Sequence, residues 1–195
     1  MLRYSFFIMI ILFTVNSSAG ASEIGPLNVK FNTPYPYDND RTMVKTYLNV
    51  INILRSKPRR CGNKGTFKAT VPLKWSDKLY RAASEHAYDM ATHNLLNHYG
   101  SGKATDITGR RKGHASKASE RGKFHGYTYS KAFAFAENIG AGQKNLSEIV
   151  KAWMNSPSHC ANIMNPNFRE MALAKSTNPN TRYKTYWTLD LGYRR

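Results

Sequence analysis

The chain has 195 residues, with 29 Lys and Arg against 12 Asp and Glu and a formal charge of +17. That length suits one domain with a sizeable core and is short for two. The charge argues against cationic partners and favours anionic ones: acidic lipid headgroups, anionic envelope polymers or nucleic acid.

The N-terminus is the most legible stretch. Arg3 supplies a positive start, Ser5 to Val15 is a short apolar run, and Ala19-Gly20-Ala21 forms an A-x-A site. The run is too short to cross a bilayer, so residues 1–21 are expected to be a secretory signal peptide. Its removal takes one positive charge, Arg3, and leaves no segment apolar enough to span a membrane. The mature chain is expected in the periplasm or outside the cell, as a monomer. Export makes nucleic acid an unexpected partner. An anionic envelope polymer or lipid is the expected one, and a basic surface that merely aids solubility is the alternative. Two cysteines, Cys61 and Cys160, are an even count in an exported chain and favour one disulfide.

Residues 22–40 carry Pro26, Pro34 and Pro36 and read as an extended leader, with Asp40 as an N-cap. A single domain is expected over residues 41–195. Val44, Tyr47, Leu48, Ile51 and Leu54 form a helical stripe that Pro58 ends. A loop with Cys61, Gly62 and Gly65 follows. The next helix starts at Ser76 or Asp77 and buries Leu79, Ala82, Ala83, Ala87 and Met90. Its histidines, His86 and His93, read as hydrogen-bonded packing residues. The pattern runs to Asn97 with Gly100 as the stop, which puts His98 at a helix end.

Residues 103–125 show no clear period and carry seven Lys or Arg against Asp106 and Glu120. They are expected to be a long exposed basic insert, with a short helix near Ser116 to Arg121. Arg110, Arg111, Lys112, Lys117, Arg121 and Lys123 are its candidate anion-binding residues, and a solvated charge run is the alternative. Phe133 to Gly142 reads as a strand entering a glycine turn. Asn145 and Glu148 resemble a capping box before the apolar face of Ile149, Val150, Trp153 and Met154. Ser156 and Pro157 start another short helix as N-cap and N1. Met171 to Ser176 and Tyr183 to Tyr193 alternate as two strands around an Asn178-Pro179-Asn180 turn. Helices first and strands late give an α+β class with helices on an antiparallel sheet.

Several motifs occur in a recognisable order. Pro72-Leu73-Lys74-Trp75 precedes His86-Ala87-Tyr88-Asp89-Met90, then come Asn97-His98, Glu137-Asn138-Ile139 and Trp153. Ser156-Pro157-Ser158-His159-Cys160-Ala161-Asn162 and Tyr186-Trp187-Thr188 complete the series. From about Met43 to Gly192 the chain resembles a CAP-superfamily domain (cysteine-rich secretory, antigen 5 and pathogenesis-related proteins), and its Ser-Pro-x-His pattern is that of the bacterial branch. The resemblance implies a three-layer α-β-α sandwich with a central antiparallel sheet and a cleft with two histidines and two acids. His98 matches the first histidine and Glu137 the first acid. Ser156 and Tyr186 stand where the second acid and second histidine usually fall, and His159 is the expected replacement histidine.

His98, Glu137 and His159 are therefore the candidate catalytic residues. Two imidazoles and a carboxylate could hold a divalent ion such as zinc, with His98 and His159 as ligands. They could equally form a general base oriented by a carboxylate, or a purely structural polar cluster. A helix N-terminus would keep His159 neutral. A Cys160 nucleophile would be lost to the disulfide. Three functions are open: an exported protein that binds an envelope or extracellular component through a His/Glu cleft, a metal-assisted hydrolase, and a secreted interaction factor without catalysis.

Overall fold

A computed structural model of the chain describes residues 41–128 and 135–193. The expected signal peptide, the leader and Asp40 lie outside these residues. The first helix, α1, is Arg41–Arg55 and buries Met43, Tyr47, Ile51 and Arg55, one residue per turn of a single face. Two short strands, β1 (Arg59–Arg60) and β2 (Thr66–Phe67), form a small hairpin around a 3-10 turn at Gly62–Lys64. The strand β3 is Lys74–Trp75 and leads into α2, Asp77–His93. Ser76 caps α2 through its side chain. Ala82, Ala83, Ala87 and Ala91 are buried along it, and their small side chains let the helix lie close to the sheet.

The helix stops four residues short of the expected Asn97. Asn94 takes the left-handed conformation at φ 52°, and the Asn94 and Leu95 N–H groups both reach back to the Met90 carbonyl. Asparagine tolerates this cap well, so it ends the helix before Gly100 can. His98 accordingly lies in the loop beyond the helix. The basic insert is also not a long loop. It folds into α3 (Ile107–Lys112) and α4 (Ala118–Phe124).

The remaining elements are β4 (Phe135–Ala141), α5 (Leu146–Asn155), α6 (Pro157–Met164), β5 (Glu170–Thr177) and β6 (Thr185–Gly192). Pro157 occupies N1 of α6 after Ser156, whose side chain makes no capping bond. The Asn145 side chain accepts from the Glu148 N–H, while the Glu148 carboxylate returns to the Lys144 N–H. The main sheet runs β3-β5-β6-β4. Its three long strands are antiparallel, and only the two-residue β3 is parallel to β5.

Register divides the residues between two faces. On one face Trp187 packs edge-on against Tyr47 of α1, Gly140 lies under Ile149 of α5, and Asn138 meets α6. On the other face Ile139 and Tyr186 pack against Met90 and Ala91 of α2. The sheet is thus the middle layer between α1, α5 and α6 and α2, α3 and α4. All eight residues of β6 are buried, as a strand covered on both sides requires. Cys61 and Cys160 are joined, with Cα atoms 5.4 Å apart, and tie α6 to the 3-10 turn. Closing a loop of this length stabilises the fold by about 4–5 kcal/mol on the chain-entropy account. Among the described residues, no helix is long and apolar enough to cross a membrane.

Candidate functional site

Glu137 is the third residue of β4 and points to the α2 side of the sheet, where its side chain is 2% exposed. Three groups converge on it. His98 Nδ1 lies 2.8 Å from Oε1, Arg121 Nη2 lies 2.7 Å from Oε2, and His86 Nε2 is 3.8 Å from Oε1. An ionised carboxylate only accepts, so His98 donates from Nδ1 and turns Nε2 away from Glu137, where the neutral ring keeps its lone pair. The His98 side chain is 54% exposed, which puts an imidazole at the surface on a buried anionic base. Burial opposes the charge of Glu137, but Arg121, His86 and the hydrogen bonds from His98 and Arg121 outweigh it and hold the carboxyl well below its usual range.

Arg121 sits on α4 and is 1% exposed. Besides Glu137 it donates to the Ser116 carbonyl and hydroxyl through Nη1 and to the His98 carbonyl through Nη2. The guanidinium therefore fixes both the carboxylate and the loop that presents His98. This overturns the expectation that Arg121 is a surface anion-binding residue. An unpaired acid on β4 draws it inward, since a buried carboxylate needs a charged partner. Arg110, Arg111, Lys112, Lys117 and Lys123 are exposed. Arg111 lies over the Phe124 ring, and Lys112 is 3.8 Å from Glu120.

His86 is fully buried. Its Nε2 donates to the Asn97 carbonyl at 2.8 Å, which agrees with a packing histidine, but its position beside Glu137 makes it part of the site as well. Burial pushes its pKa down to about 4, so it is neutral near pH 7. Nothing in the spacing of His86 and Glu137 along the chain joins them; the packing of α2 on β4 does.

His159 is reached from the other layer. The Asn138 side chain donates to its carbonyl at 3.0 Å, beside Glu137 on the edge strand β4. It is half-buried and close enough to His98 to feel that imidazole's charge. Burial first and His98 second lower its pKa, the direction expected of it. The three candidate residues thus split into a bonded pair, His98 and Glu137, and a histidine facing that pair around the sheet edge. They do not make the three-ligand metal centre. Both Glu137 oxygens are engaged, one by a guanidinium, and no group of three His, Cys, Asp or Glu among the described residues could hold a metal ion.

The loop and helices over this centre are held by buried acids. Asp106 accepts from the N–H groups of Gly102, Gly109 and Ser116. Glu85 of α2 takes the Thr108 N–H and hydroxyl and lies 2.6 Å from His125 Nε2. Asp89 takes the Ser101 N–H and hydroxyl and the Thr105 hydroxyl. Sequence reasoning missed these acids because each one reaches a partner many residues away.

A layered fold with a histidine–glutamate pair at its sheet edge is the architecture the sequence motifs imply. The family model described as CAP, Cysteine-rich secretory protein family, matches residues 48–191, and the chain belongs to that family. Over 104 residues it is 34% identical to the uncharacterized protein YkwD of Bacillus subtilis (strain 168), covering 52% of this chain and 34% of that protein. It therefore spans about a third of that curated relative's length. Among solved structures, it is similar to an extracellular protein containing a SCP domain from Bacillus anthracis str. Ames. That match has a TM-score of 0.56 at 18% identity over 80% of this chain and 41% of the other. It is also similar to an outer surface protein from Borrelia burgdorferi, with a TM-score of 0.54 at 15% identity over 80% of this chain and 92% of the other. At these identities the likeness is one of fold.

Proposed function

We infer that this is an exported CAP-domain protein that binds an anionic component of the cell envelope or its surroundings, a lipid or a polymer, through the His98–Glu137 cleft and the basic face beside it. One observation carries the reading. In the layer over the cleft Glu85, Asp89, Asp106 and Glu137 are all buried, while Arg110, Arg111, Lys112, Lys117 and Lys123 are exposed. The acids are consumed inside and cannot neutralise the bases outside. The A-x-A signal at residues 19–21 and the described extracellular or outer-surface location of the similar structures support export.

A second reading, general-base chemistry, is favoured by the exposed Nε2 of His98 above a buried carboxylate. His98→Ala separates the two. Co-sedimentation with acidic vesicles and with a soluble polyanion is expected to weaken but persist in this variant, because the cleft loses one group while the basic face is untouched. Binding abolished by His98→Ala would overturn the surface reading and leave the imidazole as the working group.

A further inference from the structure

A second basic surface lies away from the His98 cleft. Residues 57–74 hold six Lys or Arg and no Asp or Glu. The β1–β2 hairpin falls within them, and Cys61 ties it to α6, so it belongs to the layer across the sheet from α3 and α4. Register sorts its side chains. Phe67, opposite Arg59, packs beside the disulfide, while Arg60 and Thr66 form the next pair and take the other face. Lys57, Arg60, Lys64 and Lys68 are exposed, and among the described residues none of them forms an ion pair. The insert on the other layer has Glu120 to offset its charge, and this segment contains no such acid.

A cavity of about 600 Å³ opens beside the hairpin, lined by Ser56, Ala69, Thr70, Val71, Pro166 and Arg169. Arg55, fully buried, holds its wall together by donating to the carbonyls of Val71, Ile163, Asn165 and Phe168. The neighbouring charge that bears on Arg55 is another cation, Arg169. Arg169 is exposed and donates to the carbonyls of Pro166 and Phe168. Two guanidiniums thus give this concavity a positive wall, and the carbonyls that would repel an anion are taken up by them. Apolar side chains stand at the same place. Val71 is 46% exposed, and Ile53, one turn back from Ser56 on α1, is 54% exposed.

We propose that this face is a docking surface for an anionic phospholipid bilayer. A headgroup phosphate enters the cavity beside Arg169, Arg60, Lys64 and Lys68 lie along the charged surface, and Ile53 and Val71 reach the boundary with the acyl chains. The proposal goes beyond the cleft reading and does not depend on it. The cations alone would suit a bilayer or a soluble polyanion equally. Large apolar side chains held out among cations favour a surface that offers hydrocarbon as well as negative charge, and a polyanion offers charge alone. The disulfide and the hairpin bonds fix the backbone of this segment before contact, so little order has to be imposed on docking.

Co-sedimentation of the mature chain with vesicles of phosphatidylglycerol in phosphatidylcholine tests the proposal. The background for the test carries Arg110→Gln, Arg111→Gln and Lys112→Gln, which neutralise the face on the other layer. In it the chain is expected to keep binding these vesicles and to ignore vesicles of phosphatidylcholine alone. Adding Arg60→Gln, Lys64→Gln and Lys68→Gln is expected to weaken the binding about a hundredfold. Ile53→Ser with Val71→Ser is expected instead to weaken vesicle binding about tenfold and to leave binding to soluble polyphosphate unchanged. All five of these side chains are exposed, so melting temperatures near that of the background are expected. No vesicle binding in the background would overturn the proposal. Binding undiminished by the three Gln substitutions would overturn it and leave the cleft as the membrane site. Full vesicle binding in the Ser variant would overturn it in favour of a polyanion. None of these outcomes touches His98, so the cleft reading stands or falls separately.

Discussion

Arg121 shows how one side chain can hold a site that it does not itself expose. It neutralises Glu137, fixes the carbonyl of His98 and anchors Ser116. Arg121→Met leaves Glu137 buried without its cation, and removing one partner of such a pair costs about 3–5 kcal/mol. Denaturant unfolding should show that loss, whereas the exposed His98→Ala should cost far less. The buried groups also give stability a pH signature. His86 falls from 6.5 to about 4 on folding, so its contribution is present above the unfolded value and is lost as pH falls through the folded one. Asp190 is raised, so its contribution is present below its unfolded value of 3.8 and is lost as pH rises toward the folded one. Between roughly pH 4 and 6.5 the two slopes oppose, each up to about 1.4 kcal/mol per pH unit. Asp190→Asn should unmask the His86 slope, making stability fall more steeply with acid across that window. Parallel stability curves for the two proteins, measured by denaturation over a pH series, would refute this account.

At the scale of elements, the cap over the site depends on Asp106. Its carboxylate joins three N–H groups, from Gly102, Gly109 and Ser116, and the last two would otherwise be buried alone. Burial would raise its pKa, but the bonds from Ser116, Gly102 and Gly109 hold it low. Asp106→Ala should cost about 2–4 kcal/mol. Amide exchange should rise across residues 100–125 while α1 and α5 stay protected, and uniform loss of protection would show that the cap is no separate unit. This arrangement also marks how far the sequence was legible. α1, α2, α5 and α6 could be read because each carries a periodic apolar face or a local cap, and the ordered motifs carried His98, Glu137 and His159. The basic insert could not be read that way. Its helices have six and seven residues, too short for a periodic face, and are held by Glu85 across separations of 23 and 40 positions. The end of α2 was misplaced because Asn94 is an ordinary residue in sequence and a cap only through its backbone. Asp190 was passed over because a polar residue in an alternating strand reads as solvent-facing. Only the second layer of helices shows that it points into the protein.

For the whole molecule, the decisive feature is where the charges go rather than how many there are. The acids over the site are drawn inward to satisfy backbone and guanidinium groups. Apart from Arg121, which turns inward to Glu137, the bases Arg110, Arg111, Lys112, Lys117 and Lys123 of the same layer stay outside. Arg110, Arg111 and Lys112 close α3, where the helix end itself favours cations, and they set a positive field on the outside of this layer. Among the described residues, only Glu120, which accepts from the Lys117 N–H and lies near Lys112 and His114, is seen to offset them locally. Replacing Arg110, Arg111 and Lys112 with Gln should therefore leave the melting temperature nearly unchanged and weaken binding to acidic vesicles or a soluble polyanion. The wild type should bind more weakly as salt rises, because exposed charges are screened beyond about 8–10 Å near physiological ionic strength. The variant should show a shallower salt slope, since fewer cations take part. Equal affinity and equal slope in wild type and variant would reduce this face to a solvated surface and shift the search for a partner to the cleft at His98.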